Sequence, residues 1–260
     1  MKFLGQHFLR NPAAIQKIIA AIDLKPNETI VEIGSGRGAL TIPLAAACVQ
    51  VGAKLIAIEK DPKLAKGLGA TTEVVEGDAL TILSSDMLTT KLHAQSFKFV
   101  GNIPYYITGH LLRTVSELKE KPTRCVFMLQ KEVAERATAV PPKMNRLAAS
   151  IRFWAEPKII ARLGKDDFSP PPKVDSAVML LETKQPQPKN AERFYSAVRI
   201  LFAQPRKTIL NNLSSLRTKS DIAEGLTKLG INSGLRPQNL TIMDIEVIAK
   251  SFFNATDICG

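Results

Sequence analysis

The chain has 260 residues, 45% apolar and 23% charged, the balance of an ordinary soluble protein with room for one good core and a small second one. No run nears the roughly 18 apolar residues of a membrane span and no signal-peptide core opens the chain, so a cytoplasmic protein without membrane contact is expected. Cys48, Cys125 and Cys259 are odd in number and lack histidines at metal-ligand spacing, which argues against a disulfide framework and for no bound metal. A net charge of +11 with pI near 9.6 calls for a polyanionic partner; nucleic acid suits it better than anionic membrane, because no long helix joins a basic face to a strongly apolar one.

Lys2 to Leu9 is too short for a capped helix and too apolar for a free tail, and is expected to fold over a site. Asn11-Pro12 then starts a helix with Ile15, Ile18, Ile19 and Ile22 on one face. Thr29 to Ile33 is a β-branched strand running into Gly34-Ser35-Gly36-Arg37-Gly38 and a helical stretch from Ala39 to Cys48. Lys54 to Ile58 is the next strand and ends in Glu59, with Asp61-Pro62 capping a helix after it; Thr72 to Val75 is a third, closing on Glu76-Gly77-Asp78. Phe97 to Val100 is the fourth, and Pro104, which cannot donate to a ladder, stops it in Gly101-Asn102-Ile103-Pro104-Tyr105-Tyr106.

Thr108 opens a helix with Leu111, Leu112 and Val115 inward, Cys125 to Leu129 is a fifth strand, and Lys131 begins another helix. Arg152 to Trp154 and Lys158 to Arg162 carry strand character, with Trp154 a core residue; Asp166 to Pro172 forms a rigid loop, and Val174 to Thr183 is the last strand. Alternating strands and helices predict an α/β fold with a doubly wound sheet. Lys184-Gln185-Pro186-Gln187-Pro188 reads as a linker, giving two domains, 1–184 and 185–260. Beyond it the chain is all helical, with segments near 191–203, 207–216, 221–229 and 243–253, and carries 11 Lys/Arg against 6 Asp/Glu from Lys184 onward. Arg193, Arg199, Arg206, Lys207 and Arg217 concentrate that charge, which reads as a solubilising surface or, favoured by its density and the linker before it, as an RNA phosphate contact.

A parallel sheet gathers the C-terminal ends of its strands, so Glu59, Asp78 and Asn102 meet at the edge where such sheets bind ligands. Gly34, Gly36 and Gly38 let backbone approach a ligand, and Glu59, about 20 residues on, suits ribose hydroxyls. An NAD, a flavin and an S-adenosylmethionine site all begin this way. Asp78 is placed to accept from a cofactor adenine amine. Asn102 and the Ile103 carbonyl offer acceptors for a substrate's exocyclic amine, holding its nitrogen pyramidal and aimed at a methyl sulfonium, and Tyr105 offers a stacking plate for a base taken out of its helix. Phe168 reads equally as a plug at the domain edge or a stacking ring; His7 reads poorly as a general base, since a methylated amine loses its proton to water. Glu132, Glu135 and Arg136, at i, i+3 and i+4, read as a salt-bridge set.

These residues resemble the rRNA adenine N6-methyltransferase family, most closely its small-subunit rRNA adenine dimethyltransferase branch, over nearly the full length. The likeness rests on Gly5-Gln6-His7-Phe8-Leu9, Glu32-Ile33-Gly34-Ser35-Gly36, Glu59, Gly77-Asp78-Ala79 and Gly101 to Tyr105. Farther on, Gln130 to Arg136, Phe168 to Ala177 and Arg206-Lys207-Thr208 also match, and these three blocks in this order are specific. The resemblance implies a Rossmann-like class I methyltransferase domain with a small helical C-terminal domain. It implies S-adenosylmethionine held by His7, Leu9, Gly34, Gly36, Glu59, Asp78 and Asn102, with Asn102, Tyr105 and Phe168 around the target adenine. It further implies methyl transfer to two adjacent adenines near the 3′ end of small-subunit (16S) rRNA in the immature 30S subunit, by an enzyme expected to be a monomer. His7 stands where the family usually has Asn, Ser35 where it has Pro, Pro205 where a basic residue is usual, and Asn145-Arg146 where Tyr-Gly is common. Large-subunit (23S) methyltransferases of the macrolide-resistance type share the central motif; the Phe168 to Ala177 block and the basic 206–208 segment favour the small-subunit branch. A non-catalytic RNA-binding assembly factor on the same fold is the alternative of another class, and the intact Glu59, Asp78 and Asn102 set weighs against it.

Overall fold

The computed structural model describes residues 7–85 and 96–253. The chain divides into two compact units, one of residues up to Glu135 with Glu156–Thr183, the other of Arg136–Ala155 with residues from Lys184 onward. One crossing falls beside the proline-rich segment at Lys184; the other crossings, near 135 and 155, carry no linker-like composition. Cys259 and the stretch before His7 lie outside the described residues.

The first unit is built on a seven-stranded sheet of order β4-β3-β2-β5-β6-β9-β7. Its strands are β2 (Thr29–Ile33), β3 (Lys54–Glu59), β4 (Glu73–Glu76), β5 (Phe97–Asn102), β6 (Arg124–Gln130), β7 (Ala155–Leu163) and β9 (Ser176–Thr183). β2, β3, β4, β5 and β6 pair in parallel, and β9 returns antiparallel to β6. All five residues of β2 are buried, as a central parallel strand covered on both faces requires. β2 takes β3 on one side and β5 on the other, so the strand order reverses there and opens a crevice at the C-terminal ends. Register brings those ends into line, with Ile33 opposite Ile58 and Glu59 opposite Glu76. Gly101 is required where β5 passes β2, because a Cβ there would sit 2.4 Å from the Ile33 carbonyl oxygen.

Helices α1 (Pro12–Ile22), α2 (Thr41–Val51), α3 (Pro62–Leu68), α4 (Ala79–Leu83), α5 (Thr108–Glu117) and α6 (Lys131–Ala137) follow the strands. Asn11 caps α1, its side chain accepting from the Ala13 and Ala14 amides, with Pro12 at the first position, and Ile18 and Ile22 are buried. Two residues of the expected rigid loop, Phe168–Ser169, form a short strand, β8, that pairs antiparallel with β1 (Phe8–Leu9). Cys48 and Cys125 are buried thiols, Cys48 pushed up to about 11 by burial, which suits inert packing.

The second unit is helical: α7 (Arg146–Trp154), α8 (Ala191–Leu201), α9 (Ile209–Leu213), α10 (Lys219–Lys228) and α11 (Ile242–Phe252). Here the strand expected over Arg152 to Trp154 is corrected to helix. Asn145 caps α7 by accepting from the Ala148 amide, and Ala148, Ile151 and Trp154 recur at helical spacing on its buried face. Phe153 stacks on Phe194 of α8 at 4.0 Å between ring centroids, and Trp154 is core. Thr208, Thr218 and Thr241 cap α9, α10 and α11. No helix among the described residues is long and apolar enough to cross a membrane.

Candidate active site

A cleft of about 1050 Å³, counting its open mouth, lies at the strand ends of the first unit. Its floor is the loop after β2, where Gly34, Gly36 and Gly38 take φ of +76°, +57° and +83°. Such backbone suits glycine, and at Gly36 a Cβ would also stand 3.1 Å from the Phe8 ring. Phe8 in turn lies under the Arg37 guanidinium, 4.6 Å from its centroid.

Glu59 is buried, and both its oxygens are held: Oε2 accepts from the Gly36 amide at 2.7 Å and Oε1 from the Asp61 amide at 2.9 Å. Asp78 caps α4, its Oδ1 accepting from the Leu80 amide at 2.9 Å, while its Oδ2 takes the Lys60 ammonium at 2.8 Å. The hydrogen bond from Lys60 holds the Asp78 carboxyl below its ordinary range. Asn102 donates from Nδ2 to the His7 carbonyl at 2.8 Å. A carbonyl can only accept, so this bond fixes the amide with Oδ1 as the remaining acceptor, and among the described residues Oδ1 meets no donor. The Ile103 amide donates to the Met128 carbonyl at 2.9 Å, extending the ladder one residue past the strand.

Tyr105 lines the cleft with its hydroxyl 2.9 Å from Ser176 Oγ. The His7 ring lies 5.9 Å from that of Tyr105 and donates from Nδ1 to the Pro170 carbonyl at 2.8 Å. Tyr106 stands at the rim, 61% exposed. The structure therefore brings His7, Leu9, Gly34, Gly36, Glu59, Asp78, Asn102 and Tyr105 to one cleft. Phe168 does not line it. That ring is 3% exposed and belongs to an apolar cluster with Leu9, Ile18 and Val178.

Glu32 and Lys60 are among the lining residues that received no individual role from the sequence. Glu32 is 1% exposed, and burial, partly offset by the Thr41 hydroxyl and reinforced by the Glu59 charge, pushes its carboxyl up to about 7. Glu32 Oε2 and Ser35 Oγ are buried without a hydrogen-bond partner among the described residues. The signal for Glu32 is a carboxylate inside a strand that is otherwise β-branched and apolar. Lys60, adjacent to Glu59, carried no signal of its engagement with Asp78.

A family model described as ribosomal RNA adenine dimethylase matches residues 1–253. A protein of Dehalococcoides mccartyi named ribosomal RNA small subunit methyltransferase A is 37% identical over 252 residues, covering 93% of this chain and 84% of that one. Among solved structures, a dimethyladenosine transferase from Plasmodium falciparum superposes with a TM-score of 0.78 at 26% identity, covering 95% of this chain and 100% of that one. A 23S rRNA methyltransferase superposes at 0.72 with 25% identity and the same coverage. A sheet whose strand ends carry Glu59, Asp78 and Asn102, and a family match that runs through both compact units, lead to one conclusion: this chain belongs to the ribosomal RNA adenine dimethylase family.

Proposed function

We propose that this rRNA adenine dimethyltransferase takes methyl groups from S-adenosylmethionine and places them on the exocyclic N6 of two adjacent adenines near the 3′ end of small-subunit (16S) rRNA, in the immature 30S subunit. The observation that carries the reading is Asn102, whose Nδ2 is committed to the His7 carbonyl and whose Oδ1 is left to accept. The name of the Dehalococcoides relative supports the small-subunit target.

The residues present fit the cofactor. Gly36, at positive φ on the cleft, keeps backbone open to a ligand, and Glu32 Oε2 is an orphaned buried acceptor on the same cleft, suited to an ammonium group. S-adenosylmethionine, when bound, supplies an electrophilic methyl group on a sulfonium. Glu59, its carboxylate already oriented by two amides, would take the ribose hydroxyls. Asp78, whose Oδ2 is held by Lys60, would accept from the cofactor's adenine amine.

The target amine is a poor nucleophile because its lone pair is delocalised into the ring. Asn102 Oδ1 and the Ile103 carbonyl accept its two hydrogens and hold the nitrogen pyramidal, which is catalysis by orientation and differential binding. Tyr105, anchored on Ser176, stacks on the flipped base. Phe168 would have to turn out of its apolar cluster to join it. His7 acts through its carbonyl, as the group that orients Asn102, and the proton of the methylated amine goes to water. In the helical unit, the exposed Arg199, Arg206, Lys207 and Arg217 take RNA phosphates.

Transfer of labelled methyl groups to undermethylated small subunits, beside bare large-subunit rRNA and with the modified base mapped, tests the reading. Two dimethylated neighbouring adenines in 16S rRNA are expected. Label confined to the large-subunit RNA would place the protein with the 23S enzymes, and binding without transfer would make it an assembly factor.

A further inference from the structure

A second cavity lies in the first unit, about 770 Å³ with its open mouth, lined by Gln130, Lys131, Glu132, Glu135, Lys165, Lys173, Val174 and Asp175. It adjoins the target-base pocket: Tyr105 is hydrogen-bonded to Ser176, and Ser176 pairs in register with Gln130 and follows Asp175. One tyrosine–serine pair therefore links the cleft to this cavity.

Three features of the cavity bear on what it could hold. Lys131, Lys165 and Lys173 converge on it, and none makes an ion pair or side-chain hydrogen bond among the described residues. Gln130, Glu132, Glu135 and Asp175 add acceptors beside those cations, three carboxylates to three ammonium groups, so the lining is mixed rather than a plain anion trap. Val174, 43% exposed, offers an apolar surface at the same place. Free ammonium groups, a few acceptors and a small apolar face are what one nucleotide of single-stranded RNA needs for its phosphate, its base edge and its ring.

The substrate supplies the reason for such a site. When one of two adjacent adenines is drawn to Asn102, its neighbour is one backbone step away and must be accommodated beside Tyr105. We propose that this second cavity holds the nucleotide next to the adenine being methylated, with Lys131, Lys165 and Lys173 on its phosphate and Gln130 and Asp175 on its base edge. This rests on the rRNA substrate proposed above. The site thereby sets which of the two adenines enters the cleft and keeps the second in reach after the first is modified.

The test uses the full chain on undermethylated small subunits, comparing wild type with Lys165→Ala/Lys173→Ala, both at exposed positions whose loss leaves the core intact. Four readouts are followed: affinity for S-adenosylmethionine, KM and kcat for subunits, the salt dependence of KM, and methyl occupancy at each adenine over time. Cofactor affinity is expected to be unchanged, with KM raised about three- to tenfold. The log–log salt slope is expected to fall by about 1 to 1.5, and the occupancy ratio between the two adenines to shift. Lys165→Arg/Lys173→Arg should restore KM and slope. An active wild type whose alanine variant matches it in KM, slope and occupancy ratio would overturn the site alone. A wild type that leaves both adenines unmodified would overturn the substrate reading and this site with it.

Discussion

Replacing Glu32 by Gln keeps the side chain's shape and removes its ionisation, and the consequences can be worked from burial. In the folded protein burial raises this carboxyl from 4.5 to about 7. At about 1.4 kcal/mol per pH unit, that gap is a penalty on the order of 3 kcal/mol against the ionised folded state. The folded chain holds a proton that the unfolded chain has released between about pH 4.5 and 7, so Glu32 lowers stability as pH rises through that window, and its cost is fully present above it. Glu32→Gln carries no such slope. Urea unfolding at pH 5, 6, 7 and 8 should show the variant gaining on wild type by on the order of 3 kcal/mol between the ends of the series, with a constant offset from the substitution cancelling in the difference. If Glu32 faces the cofactor's ammonium, wild-type affinity for S-adenosylmethionine should also rise between pH 6 and 7.5 as the carboxyl ionises, and the variant's should be lower and flatter. Stability curves that run parallel from pH 5 to 8 would refute the assignment of a buried carboxyl raised by its burial.

Lys98 is 3% exposed and donates to Glu28 and to the Asp23 carbonyl, both at 2.6 Å. Lys98→Met should strand the Glu28 carboxylate and cost about 3–5 kcal/mol in urea unfolding, with Glu28→Gln in the same chain recovering part of it. Charge reversal at Arg206 and Lys207, both exposed, should weaken RNA binding and flatten its salt dependence while leaving the unfolding midpoint of the purified chain unchanged; unaltered binding at every salt concentration would return that face to plain surface.

The site was legible wherever its chemistry is set by chain-local patterns. Asn11-Pro12 states a helix start in two residues, and Pro104 states where β5 must stop. A parallel sheet then brings Glu59, Asp78 and Asn102 to one edge without any knowledge of side-chain contacts. What escaped depends on partners distant in sequence. Arg152-Phe153-Trp154 has strand composition, yet it is helical because Asn145 caps the segment and Ile151 and Trp154 share one buried face. Tyr105 finds Ser176 at a separation of 71 residues, and Asn102 finds the His7 carbonyl at 95. Lys60 sits on Asp78 through an exposed flexible side chain that no spacing rule reports. Phe168, which in sequence reads equally as an edge plug or a stacking ring, is buried where its strand pairs with Leu9.

The central claim is that Asn102 Oδ1 holds the adenine amine. The measurement that tests it most directly is single-turnover methyl transfer by Asn102→Ala and wild type on undermethylated small subunits, with RNA binding followed in parallel. Loss of transfer to both adenines with RNA binding largely retained is expected. Transfer by Asn102→Ala at the wild-type rate would contradict it.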